Sequence, residues 1–182
     1  MKKFRQERIQ SLRLGGQKVA VITYTNAACD EIKARLDYDA SFQVSTIYGF
    51  SWELIKPYQN DIRAWLRKRL LGEIAVLQEK QQKGRAGSKA ALDRPRQIDA
   101  KQKRLNALER IKRFAYNPSG ENPGRDFLNH AEVIAMTTTF LLERPLMQRI
   151  LIRRFPILLI DESQDAHEEL IDAFFQVQSA IG

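Results

Sequence analysis

The stretch Ile157-Leu158-Leu159-Ile160-Asp161-Glu162-Ser163-Gln164-Asp165, ILLIDESQD, decides how the rest of the chain is read. Four aliphatic residues after Pro156 have the length and composition of a strand buried on both faces, as in a parallel sheet. Three carboxylates and a glutamine follow within five residues. At the carboxyl end of such a strand, acids stand where open α/β sheets bind their ligands. A cation or a proton has to be managed there.

Upstream, the pattern supplies neighbours for that strand. KVAVITYT (Lys18 to Thr25) is a short β-branched run that predicts a second, buried strand, with Asn26 as N-cap of a helix over AACDEIKARL. FQVSTI (Phe42 to Ile47) predicts a third strand, leading into a helix that contains Phe50, Trp52, Leu54 and Ile55. Strand, helix, strand in this order is a βαβ unit with parallel strands. A helix over Phe4 to Leu14, stopped by Gly15-Gly16, precedes it.

Pro57 marks a change of character. Ile62, Trp65, Leu66, Leu70, Ile74 and Leu77 recur at spacings of three and four, and Ile98, Leu105, Leu108 and Ile111 repeat the theme. Two amphipathic helices joined through QQKGRAGSKAALDRPRQ predict an antiparallel hairpin. Gly84 to Lys89 follows no strand and lacks GxxxxGK[ST], so it reads as a connector. From Asp61 to Phe114 there are 16 Lys and Arg against 6 Asp and Glu, a net of +10 within a chain of net +8. So uneven a distribution suits a polyanion partner, against the plainer reading of a solvated helical face. Asn117 to Gly124 reads as the return linker, followed by helices from about Asp126 to Leu142, from Pro145 to Arg153, and from His167 to Ile181.

The composition excludes several classes. One cysteine, Cys29, rules out a disulfide framework or a Cys-rich zinc site, and two histidines, His130 and His167, lack partners at ligand spacing. No apolar run reaches bilayer length and the basic N-terminus has no signal-peptide core, so a soluble, cytoplasmic protein is expected. Cys29 reads as a buried helix residue.

An apolar strand ending in Asp-Glu has the layout of a Walker B element, in which the Asp holds Mg²⁺ and the next carboxylate activates water. Extended to Asp-Glu-Ser-Gln-Asp, it resembles motif II (DExQD) of the UvrD/Rep-type superfamily 1 DNA helicases. TYTNAACDEIKARL (Thr23 to Leu36) looks like motif Ia, with Tyr24 in the place of a Phe. VSTIYGFSWELI (Val44 to Ile55) looks like the Ib region, with Tyr48 in a His place and Gly49 in a Ser place. The resemblance implies an α/β, RecA-like parallel sheet with flanking helices, incomplete here, plus an inserted basic helical subdomain. On that basis residues 1–56 and 125–182 form a partial 1A domain, and residues 57–124 a 1B-like subdomain.

Carried over residue by residue, the resemblance makes Asp161 the Mg²⁺ ligand and Glu162 the general base for ATP hydrolysis. Gln164 would sense the γ-phosphate or attacking water, and Asp165 would support the loop. Thr23, Tyr24, Thr25 and Asn26 would line a single-stranded DNA channel, extended by Thr46 and Tyr48. Their hydroxyls and amide suit phosphates and their rings suit bases. Phe50 and Trp52 are expected in the core, and the two histidines in structural or surface roles.

The family also needs a GxGKT-type loop, which the 182 residues do not contain. The expectation is therefore a helicase fragment whose complete parent uses Mg²⁺ and ATP, while this chain alone holds neither and is inactive. Its partners would be single-stranded and duplex DNA, and the missing helicase portions or a split-gene partner. Self-association is expected through an unfilled sheet edge. The alternative is a catalytically inactive nucleic-acid-binding or regulatory module derived from such a helicase.

Overall fold

A computed structural model describes residues 9–83, 89–118, 120–121, 124–161 and 167–181. It divides into two compact units. One comprises Met1–Ile55, Asn117–Glu121 and Asn129–Gly182, and the other Lys56–Tyr116 and Asn122–Leu128.

The first unit is built on a parallel sheet. Helix α1, described over residues 9–14, precedes β1 (Val19–Thr23), α2 (Asn26–Arg35), β2 (Phe42–Thr46) and α3 (Ile47–Ile55). After the second unit the chain returns as α6 (His130–Glu143), α7 (Pro145–Arg154), β3 (Ile157–Ile160) and α8 (Glu168–Ile181). Among the described residues the strand order is β2-β1-β3, both pairings parallel. The α/β class and the parallel sheet are as the sequence predicts, and they are compatible with part of a RecA-like fold.

The burial of β3 differs from expectation, whereas that of β1 does not. β1 is buried along its whole length, whereas β3 is half-buried and Leu159 is 51% exposed. β1 has hydrogen-bonded strands on both sides, and β3 pairs only with β1 among the described residues. Ile157 packs against a cluster of Leu12, Val19 and Val21, together with Ile32, Phe42 and Val44. Leu159 lies on the same face two residues further along, outside that cluster. An apolar run fixes the strand, but its place in the sheet decides how much of it is covered.

Behind the sheet, α6 packs on α3, α7 and α8. Phe50 sits 5.2 Å from Phe155 and 5.8 Å from Phe174, ring centroid to centroid, and all three are buried. Phe50 is thus the core residue expected. α6 contains three consecutive threonines, unfavourable in a helix interior unless their hydroxyls find partners. Thr137, Thr138 and Thr139 each donate to the carbonyl four residues back, at 2.8, 3.0 and 2.8 Å.

Helix boundaries correct two sequence expectations. The N-cap of α2 is Thr25, not Asn26, which is already helical. α6 starts at His130 rather than near Asp126, because the chain around Phe127 forms a bridge with Ala115. Asn129 and Glu132 then close a capping box, with bonds of 2.8 and 3.0 Å. That Asn-x-x-Glu spacing is legible in the sequence.

The second unit is a helical hairpin of α4 (Gln59–Lys83) and α5 (Lys89–Ala107), closed by a 3₁₀ turn at Leu108–Arg110. The predicted connector reaches too far, since residues 89–97 are helical and Pro95 lies inside α5. Residues 84–88 lie outside the described residues. Ile62, Leu66, Leu70 and Ile74 form the buried stripe of α4, as their spacing predicts. Ile111 falls beyond the 3₁₀ turn rather than on a helix face. Arg63 fastens this end, donating to the carbonyls of Leu108 at 3.0 Å and Ile111 at 2.5 Å.

Candidate functional site

Because the strands are parallel, β1, β2 and β3 end on the same side of the sheet. Thr23 pairs in register with Thr46, and Ile22 with Ile160. The N–H of Asp161 donates to the carbonyl of Ile22 at 2.9 Å, so Asp161 continues the ladder beside Thr23. The three segments singled out in the sequence therefore emerge side by side at the carboxyl edge, the ligand-binding edge of open α/β sheets.

The strand-to-helix junctions after β1 and β2 are each capped by a threonine. Thr25 Oγ1 accepts from the N–H of Ala28 at 3.1 Å and Thr46 Oγ1 from the N–H of Gly49 at 3.1 Å. A hydroxyl in this position satisfies one of the unpaired donors of a helix start. Each residue thus has a folding role that competes with the predicted phosphate contact. A methyl at Gly49 would come within 3.3 Å of that same Thr46 hydroxyl, so the tight turn into α3 suits glycine.

Exposure sorts the predicted residues. Thr25 and Asn26 are exposed, Tyr24 and Tyr48 are half-buried, Thr46 is buried and Thr23 is fully enclosed. Thr23 Oγ1 finds no hydrogen-bond partner among the described residues, and its enclosure keeps it from touching a strand laid on this edge. Asp161 is an exposed residue. Glu162, Gln164 and Asp165 lie outside the described residues.

Two residues that sequence reasoning assigned no functional part meet at Tyr48. His130, the first residue of α6, stacks on the Tyr48 ring with centroids 4.8 Å apart and planes at 29°. His167, just before α8, approaches edge-on at 5.6 Å and 81°, and its Nε2 lies 3.2 Å from the Tyr48 hydroxyl. Burial pushes the His167 imidazole below its ordinary pKa. All three rings come from different elements, so no local sequence pattern announces the cluster.

In the hairpin, much of the acidic minority is engaged internally. Glu73 bridges Arg69, at 2.7 Å, and Lys101. Glu79 pairs with Lys83 at 2.5 Å, Asp99 with Lys103 at 2.7 Å, and Glu109 with Arg67. Arg110, Lys112 and Arg113 are exposed just beyond α5. Among the described residues no group of three or more His, Cys, Asp or Glu side chains could hold a metal, and no helix is long and apolar enough to cross a membrane.

No protein-family model matches the chain. Over 80 residues it is 39% identical to the Gabija protein GajB of Bacillus cereus (strain HuB5-5), a match that spans 44% of this chain and 12% of that protein.

Proposed function

We propose that the chain is part of an ATP-dependent DNA helicase or translocase, carrying the Walker B side of the ATPase site and a portion of the single-stranded DNA channel. The observation that supports this best is the shared edge, where Asp161, the Tyr24–Asn26 turn and Tyr48 follow the ends of three parallel strands. Partial similarity to the Gabija protein loosely supports a helicase-related origin.

In this reading Asp161 binds Mg²⁺. One exposed aspartate at a strand end fits a metal that takes one or two carboxylates and fills its remaining positions with water and phosphate oxygens. When bound with ATP, the ion would offset charge on the phosphates. Glu162 as general base and Gln164 as phosphate sensor follow from the resemblance alone. Contact with DNA falls mainly to Tyr24 and Tyr48 through stacking and to Asn26 through its amide, because the Thr25 and Thr46 hydroxyls are used as caps. The basic hairpin adds phosphate contacts.

Hydrolysis is not expected of these 182 residues by themselves, since they contain no GxGKT loop to hold the β- and γ-phosphates. ATPase activity of the purified chain that disappears in Glu162→Gln would refute this. The deciding experiment titrates labelled single-stranded and duplex DNA against salt, with and without Mg-ATP. Salt-sensitive binding is the outcome the proposal requires, and no binding to either DNA would sink it. Binding indifferent to Mg-ATP also fits the alternative, a catalytically inactive nucleic-acid-binding module of the same descent. Restoring a phosphate loop in a longer chain then separates the two, because only the motor reading gains ATPase activity.

A further inference from the structure

His167 makes two connections at once. Its ring meets the Tyr48 hydroxyl at 3.2 Å. Its carbonyl accepts the N–H groups of Leu170 at 2.9 Å and Ile171 at 3.1 Å, which start α8. Its backbone holds φ at +58°, a left-handed conformation uncommon for a residue with a side chain. Such positions persist where the surroundings fix the residue, and here the ring and the carbonyl are both held.

Tyr48 is likewise fixed by several groups. It enters α3 through the turn capped by Thr46, His130 covers its ring, and His167 meets its edge and hydroxyl. With burial favouring neutral His167, Nε2 accepts the phenolic hydrogen in one tautomer and donates to the phenol oxygen in the other. Either way, the orientation of the Tyr48 ring and the start of α8 are tied through one side chain. In sequence, α8 directly follows the acidic segment that begins at Asp161.

We propose that His167 is a positioning residue that ties Tyr48 to the head of α8, so that a nucleic-acid strand bound at Tyr48 is registered at the first turn of that helix. The proposal deepens the reading above and rests on it, since it takes Tyr48 as part of the nucleic-acid-facing wall. A purely structural histidine would support α8 equally with and without DNA. A positioning residue makes the first turn of α8 respond to binding.

Two substitutions separate these roles. Tyr48→Phe keeps the stacked ring and removes only the hydroxyl. His167→Asn keeps a residue that tolerates positive φ, and its carbonyl, while removing the imidazole. The 182-residue chain and both variants are titrated with a thymidine oligonucleotide, and amide hydrogen exchange is followed at Leu170 and Ile171. In the wild type, saturation with the oligonucleotide slows exchange at both amides. His167→Asn binds within about threefold of wild type, as the small net worth of one hydrogen bond suggests, and both variants, each compared at its own saturation, lose that slowing. Loss in Tyr48→Phe alone suffices if His167→Asn fails to fold. Slowing that persists in Tyr48→Phe, or a wild type that binds with no change at these amides, overturns the positioning role and leaves the nucleic-acid reading intact. A wild type that binds no oligonucleotide overturns both.

Discussion

Thr25 shows how a residue singled out for a binding role can carry a folding role of its own. In the sequence it stands within a Thr-Tyr-Thr-Asn turn that resembles a DNA-contacting motif. In the structure its hydroxyl accepts from the N–H of Ala28 and starts α2. Thr25→Ala is expected to cost about 1 kcal/mol of stability through the lost cap. Urea denaturation followed by circular dichroism measures it, and Thr25→Asn, which can cap equally well, should recover most of the loss. No loss in the alanine variant would return the hydroxyl to the binding role alone. Tyr48 differs, because its neighbours His130 and His167 are remote in sequence and only packing brings them together.

At the scale of elements, the hairpin depends on its apolar stripe first and on Glu73 second. Glu73 on α4 binds Arg69 on its own helix and Lys101 on α5, with its side chain 34% exposed. Burial pushes its carboxyl pKa up, but the bonds to Arg69 and Lys101 together outweigh burial and hold it below the ordinary glutamate value. A depressed pKa means the unfolded chain binds this proton more readily. The stabilisation is therefore present above the ordinary glutamate value and disappears as pH falls through the depressed one. Glu73→Gln is expected to cost up to about 1 kcal/mol at neutral pH, since the pairs are partly solvated. Melts across a pH series should show wild type and variant converging on acidification. A gap that stays constant would mean that Glu73 acts through packing. The hairpin itself was legible because period 3.6 is a local signal. The extent of α5 was not, since Pro95 reads as a breaker and the helix continues through it.

At the scale of the molecule, charge and exposed edges set the expected behaviour. Each phosphate contact contributes about 0.9 to the slope of log affinity against log salt on duplex DNA. Replacing exposed Lys112 and Arg113 together by Gln should lower that slope by about two if both touch phosphate. An unchanged slope would remove this end of the hairpin from the interface. Leu159, 51% exposed on a strand that among the described residues is paired on one side, is the place where self-association is expected to start. Leu159→Lys should shift sedimentation towards monomer at little cost in stability. Self-association that persists unchanged would point to another surface.

The sequence alone determined the alternation of strand and helix, the apolar stripe of α4, the concentration of positive charge in the hairpin and the acids that follow β3. All of these are written in short-range periodicity, residue size and charge, which act on neighbours along the chain. Only the tertiary structure decided that β3 is left partly uncovered. It alone turned Thr25 and Thr46 into caps, enclosed Thr23, and gathered Tyr48, His130 and His167 from three elements. Strand order and side-chain encounters depend on which distant segments bury one another, and a chain read residue by residue carries no local mark of that choice.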